Sequence, residues 1–161
     1  MAGDAISRPM KLFPTPLCVL FVFAAFLAGC GGPNTTTVGL KVELSRVAHG
    51  GNGRTEVSWR LVNPNIVPYL LARATHKIYL DGVLVGTVDD REALAVPAQS
   101  NQDRTSPLTS AGAGAEAALA NAARNGSAAY RVESVVVVRL FGETTEKTDL
   151  RATGTVPVAG K

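Results

Sequence analysis

Thr55-Glu56-Val57-Ser58-Trp59-Arg60-Leu61 is the stretch on which the reading of this chain turns. Thr55, Val57, Trp59 and Leu61 fall on one side of an extended chain, and Glu56, Ser58 and Arg60 fall on the other. A strand with one buried and one wet face is predicted. Upstream, Val38, Leu40, Val42 and Leu44 alternate in the same way with Gly39, Lys41, Glu43 and Ser45. The glycine-rich Gly50-Gly51-Asn52-Gly53 lies between the two runs and predicts a turn joining an antiparallel pair.

Working outward in the other direction, Asn63-Pro64-Asn65 closes the second strand. Asn63 precedes a proline and is pushed toward an extended conformation. Pro64 fixes φ and lacks a donor, and Asn65 tolerates the left-handed region while bonding nearby backbone. The motif ends a strand and sets a corner. After Pro68 the chain resumes as a strand ending in Ile78, Tyr79 and Leu80, and Asp81-Gly82 then separates it from Val83-Leu84-Val85-Gly86-Thr87-Val88. Asp-Gly between two apolar runs predicts a two-residue hairpin loop.

The polar interval from Pro97 to Thr109 predicts one short strand interrupted by Pro107. Ala113 to Arg124 is alanine-rich and predicts a short helix anchored by Leu119, with Asn125-Gly126 as its stop. Tyr130 to Leu140 contains four valines in a row, Val135 to Val138, which predicts a central strand covered on both faces. A last strand is expected from Lys147 to Val156. The expected fold is mainly β, a seven-stranded antiparallel β-sandwich with one short helix before the last two strands.

Ahead of the strands, the apolar run from Leu17 to Ala28 covers twelve residues. As a helix this is about 18 Å, short of a hydrocarbon core of roughly 30 Å. With Arg8 and Lys11 in front, it predicts a signal peptide, and because the stretch from Met10 has the form of such a signal by itself, Met10 is the expected start in preference to Met1. The run closes on Leu27-Ala28-Gly29-Cys30, which resembles the lipobox of bacterial lipoproteins. That resemblance implies a diacylglyceryl group on the Cys30 sulfur and loss of residues 1–29. Residues 30–37, small and polar, would then be a lipidated tether, and 38–158 the folded domain. Gly31, where an aspartate tends to retain a lipoprotein at the inner membrane, implies transfer to the outer membrane facing the periplasm if the cell is Gram-negative.

The mature chain of about 130 residues suits one domain with one core. Its formal charge is one unit below the +3 of the full chain, because Asp4, Arg8 and Lys11 leave with the signal. The remaining Lys and Arg are scattered among acids, so nucleic acid is not an expected partner. Cys18 lies in the signal and Cys30 carries the lipid, which leaves the domain no thiol for a disulfide, a nucleophile or a metal.

Val57 to Asn65, then Tyr79-Leu80-Asp81-Gly82 and Val96-Pro97-Ala98, together resemble the late embryogenesis abundant group 2 family, also called the WHy (water stress and hypersensitive response) domain. The likeness runs from Val38 to Val158, with Asn63-Pro64-Asn65 as its most specific piece. It implies a fibronectin-III-like or immunoglobulin-like sandwich and a role in desiccation and other stress. The family has no agreed catalytic residues, so none is carried over.

His49 sits near the glycine turn and His76 in a strand, and both are expected at a surface or edge. Asp89-Asp90-Arg91-Glu92 offers three carboxylates but lacks the glycine-centred calcium loop, so it is read as a solvated acidic turn. Gly112-Ala113-Gly114-Ala115-Glu116-Ala117 matches a loose dinucleotide fingerprint, yet a polar segment precedes it, and glycine there is read as loosening the helix entry. No catalytic residue, cofactor or metal is expected. The expected partners are the membrane, through acyl chains on Cys30, and envelope protein clients. The expected role is non-enzymatic protection under desiccation or osmotic stress, with a protein-binding module of an envelope assembly as the alternative.

Overall fold

A computed structural model describes residues 39–50, 53–140 and 144–160, all within the compact unit Thr35–Lys161. Eight strands and one helix follow in the order β1 (Lys41–His49), β2 (Thr55–Asn63), β3 (Tyr69–Leu80), β4 (Val83–Asp90), β5 (Leu94–Val96), β6 (Ser100–Ser110), α1 (Ala113–Asn125), β7 (Ser127–Leu140) and β8 (Thr144–Gly160). The mainly-β expectation holds, and the helix precedes the last two strands. The expected arrangement of two sheets is replaced by a ring. Neighbours run β4-β6-β2-β1-β8-β7-β3, and β3 pairs back onto β4, so seven strands close into a barrel.

An odd number of strands cannot alternate in direction all the way round a ring. At least one contact must be parallel, and it is the one between β1 and β8, Val47↔Val158 to His49↔Gly160. The other six ring contacts are antiparallel. The eighth strand, β5, is too short to show a period in the sequence. It pairs with β3 through Tyr69↔Val96 to Leu71↔Leu94. Because β7 occupies the opposite edge of β3, β5 continues the line of β4 along the edge that β4 has left.

β6 is a full strand that runs through Pro107, which stands opposite Glu56. The ladder from β6 to β4 begins only at Thr109, so the proline withdraws no donor from that seam. In β7, Val136 and Val138 face the core while Val135 and Val137 are half-exposed on the outer face. The row of valines therefore follows the ordinary two-residue period, because a barrel wall has only one covered side.

The core holds Val42, Val57, Trp59, Leu61, Leu71, Ile78, Val85, Val88, Val132, Val136 and Val156 among its fully buried side chains. Helix α1 buries Ala115, Leu119 and Ala122. It touches β4, β8, β1, β7 and β3, strands spread around the ring, so it lies across one end of the barrel. Gly126, with φ 75°, ends it in the left-handed conformation, and its carbonyl accepts the Val158 amide at 3.0 Å.

Both seams are laddered near this closed end. β1 meets β8 only at its last three residues, and β4 meets β6 only at Gly86↔Ser110 and Thr87↔Thr109. Toward the other end, which carries Asn63, Tyr69, Ser100 and Leu140, neither seam has ladder pairs among the described residues. We refer to it as the open end.

Two glycines make close approaches. A Cβ on Gly154 would lie 2.9 Å from the ring of Tyr130, its cross-strand neighbour. A Cβ on Gly86 would lie 2.3 Å from the Thr109 carbonyl oxygen, a backbone atom that cannot swing away. Gly86→Val therefore has to push β6 off β4 at the one place where they pair, and we expect a loss of about 2–4 kcal/mol in urea denaturation, against little change for Thr87→Val beside it.

Candidate functional site

The half-open seam between β4 and β6 is where polar side chains enter the barrel. From Gly86 onward β4 turns inward every second residue, so Asp90 shares the inward phase of Val88, and on β6 Ser106 shares that of Leu108. A cleft of about 170 Å³ results, lined by Asp89, Asp90, Arg91, Glu92, Arg104 and Ser106 with their neighbours. From its mouth a chain of contacts runs into the core. Arg104 Nη1 donates to Glu92 Oε2 at 2.9 Å and to Asp90 Oδ1 at 3.3 Å, and Nη2 donates to the Ala93 carbonyl at 3.3 Å. Ser106 Oγ donates to Asp90 Oδ2 at 2.8 Å and accepts from Trp59 Nε1 at 3.1 Å.

Beyond the indole lies His76, its ring centroid 4.5 Å from that of Trp59. Its Nδ1 is 2.7 Å from Ser134 Oγ, and its Nε2 has no hydrogen-bond partner among the described residues. The expectation of a surface or edge histidine is thus corrected: His76 is fully buried. Thr75 and Lys77 flank it on the outer face, and Ala74 and Ile78 share its inward phase. Burial pushes its pKa down to about 4, with the charge of Asp90 pulling weakly the other way.

The cleft is neutralised from within. Asp89 accepts from Arg73 Nε at 2.9 Å and from Arg91 Nε at 2.9 Å, and these two guanidiniums hold its pKa below the usual carboxylate value. Asp89, Asp90 and Glu92 therefore face Arg73, Arg91 and Arg104, and no group of three or more metal-binding side chains is found among the described residues. The acidic run is not simply solvated, since Asp90 is buried. Ser106 has a carboxylate partner, as an activated nucleophile would, but it is buried and its oxygen is engaged on both sides. The indole ring separates it from the imidazole, and no relay between them is available.

His49 is half-buried, with Nδ1 2.9 Å from Thr55 Oγ1 and Nε2 4.0 Å from Glu116, so it ties the β1–β2 turn to α1. The polar segment before the glycines at 112 and 114 is the strand β6, longer than the short strand expected there. β6 and β7 are not neighbours, however, so no parallel β-α-β unit surrounds the helix start. Asp81 and Gly82 form the two-residue loop between β3 and β4 with φ of 47° and 83°. Leu27, Ala28, Gly29 and Cys30 lie outside the described residues.

Asn63 is buried at the open end, where it holds a corner. Its Nδ2 donates to the Val67 carbonyl at 2.8 Å and the Pro97 carbonyl at 3.0 Å, and its Oδ1 accepts from the Asn65 amide at 3.0 Å. One side chain thus ties the β2–β3 connection to the loop before β6.

No known protein-family profile matches the chain, and no curated protein matches it. Solved structures do. A crystal structure of a protein from Archaeoglobus fulgidus is 16% identical, with 73% of this chain and 94% of that one covered and a TM-score of 0.44. A solution structure designated a candidate late embryogenesis abundant (LEA) protein is 10% identical, with 89% and 87% covered and a TM-score of 0.47. A solution structure from Arabidopsis thaliana is 12% identical, with 75% and 79% covered and a TM-score of 0.45. The barrel described above rests on the strand pairings of this chain itself.

Two outcomes follow from the site. His76 is neutral in the folded barrel, whereas the unfolded chain takes up its proton near pH 6.5, so stability that is complete above that pH falls between 6.5 and about 4 and levels off below. The loss is of order 3 kcal/mol. Denaturation midpoints across pH should show this slope in the parent and lose it in His76→Leu. Asn63→Asp sets a carboxylate against two carbonyl oxygens in a buried corner, and a loss of about 3 kcal/mol or more is expected in the same assay.

Proposed function

We propose that this chain is a non-enzymatic lipoprotein of the bacterial cell envelope that protects membrane or neighbouring proteins under desiccation, osmotic or related stress. The observation that carries the reading is Leu27-Ala28-Gly29-Cys30 followed by a short polar spacer and then a domain without a cysteine. The cleft at the β4–β6 seam supports a non-catalytic role, because each of its carboxylates is matched by a guanidinium of the same chain. The resemblance through Asn63-Pro64-Asn65 and the later segments supplies the link to stress. Acyl chains on Cys30 hold the protein to a membrane, and Gly31 sends it to the outer membrane with the barrel in the periplasm where the cell is Gram-negative.

A second reading, a protein-binding module of an envelope assembly, is favoured by the seams. β1 from Lys41 to Arg46 and β6 from Ser100 to Leu108 each have one edge without a ladder partner among the described residues. Such edges accept an added strand.

Intact-mass measurement of the protein from membranes should show diacylglyceryl and acyl groups on a chain starting at Cys30. Deleting the gene should lower survival after drying or osmotic upshift. Equal survival of mutant and parent, with one stoichiometric partner recovered by cross-linking, would replace the first reading by the second.

A further inference from the structure

The open end carries an apolar loop. Pro64, Ile66, Pro68 and Leu70 are exposed in alternation with Asn65, Val67 and Tyr69, which are half-buried or buried. Ile66, 80% exposed, is the most exposed large apolar side chain among the described residues. The corner bonds of Asn63 hold this loop in place, so its exposure is built in and not a consequence of looseness.

The chain enters the barrel beside it. A Cβ on Gly39, where the described chain begins, would lie 3.2 Å from Pro64 Cγ. From Cys30 to Gly39 there are nine residue steps, which fully extended reach at most about 31 Å. The fourteen-residue β7 runs the length of the barrel, about 46 Å along the strand and about 35 Å along the axis at a tilt of about 40°. A spacer anchored at Cys30 is therefore too short to run back along the wall and set the helix-covered end on a bilayer. The end bearing Ile66 is the one within reach.

Two cations flank the loop. Arg139 pairs across the sheet with Leu70, and Lys41 pairs with Val62. Both are exposed, and neither is ion-paired among the described residues. Their placement beside exposed proline and isoleucine matches a headgroup boundary, where apolar tips enter and cations stay with phosphates.

We propose that the open end of the barrel docks on the bilayer that holds the acyl chains, with Ile66 entering the headgroup boundary between Pro64 and Pro68. This orientation rests on the lipid attachment proposed for Cys30.

The test uses the full chain, processed in cells and reconstituted through its own acyl chains into phosphatidylethanolamine–phosphatidylglycerol vesicles. Ile66→Cys or Val83→Cys, at opposite ends of the barrel, supplies the one free thiol for a fluorophore, and the vesicles carry a lipid-borne quencher. The label at 66 should be quenched at least about twofold more than the label at 83. Equal quenching, or stronger quenching at 83, overturns the docking. A blue shift at 66 without lipid quenching, which a second copy over the loop would produce, also overturns it. Intact mass separates the two failures: a Cys30 without lipid removes the anchor and the docking together, whereas a lipidated protein with equal quenching removes the docking alone.

Discussion

Seven strands closing on themselves must include a parallel contact, and the architecture is organised around where that contact is put. β1 and β8 meet in parallel over three residue pairs, beside the end that α1 covers. The second short seam, β4 with β6, is laddered toward that same end. The barrel is therefore held shut at the helix by backbone bonds, and beyond its ladder the β4–β6 seam is bridged by the side chains of Asp90, Glu92, Arg104 and Ser106. Each long ladder, β7 with β8 above all, belongs to the wall between the seams. Gly86 is small because the seam beside it admits no Cβ, and Leu119 is large because the covered end needs a plug.

The strand phases were legible because each wall residue has one neighbour in the core and the next in solvent. Thr55, Val57, Trp59 and Leu61 are all buried, and Leu40, Val42 and Leu44 likewise. Closure was not legible. A two-residue period states that a strand has one covered face, and a sandwich and a barrel both provide that. What separates them is whether β3 meets β4 and β6 also meets β4, a long-range pairing of which only Gly86 is a trace in the sequence. The same ambiguity misled the reading of Val135 to Val138, where four β-branched residues suit a strand whether or not its outer face is covered. β5 was hidden by its length of three residues, and the full length of β6 by Pro107, because an edge without a ladder tolerates a proline that a paired edge does not.

The polar site could have been found by phase alone. His76 stands two residues from Ala74 and two from Ile78, Asp90 stands two from Val88, and Ser106 two from Leu108, so each points inward by the alternation that places its apolar neighbours. Residue type argued the other way, since histidine, aspartate and serine are usually read as surface groups. Their meeting with Trp59 depends on the β2–β6 register and on β4 joining β6, and neither can be read from one strand at a time.

What the polar chain contributes is better described as specification than as strength. A buried carboxylate with a guanidinium at 3.3 Å returns little net stability once both are taken out of water, and an apolar pair of equal volume would hold the seam as well. An apolar pair would not choose a register, however. Asp90 accepts from Ser106 on one oxygen and Arg104 on the other, and Ser106 also receives the indole N–H of Trp59. A slip of β6 by one residue along β2 would turn Ser106 outward and leave two buried polar groups, Asp90 Oδ2 and the indole N–H, without the partner they share, each at a cost of about 1–3 kcal/mol, while Asp90 Oδ1 keeps the Glu92 amide. Where the backbone ladder stops enforcing alignment between β4 and β6, hydrogen-bonded side chains take over that task. The β4–β6 seam can thus keep a fixed shape beyond its ladder, while at the open end the three hydrogen bonds of Asn63 hold Pro64, Ile66 and Pro68 outward beside the point where the chain enters.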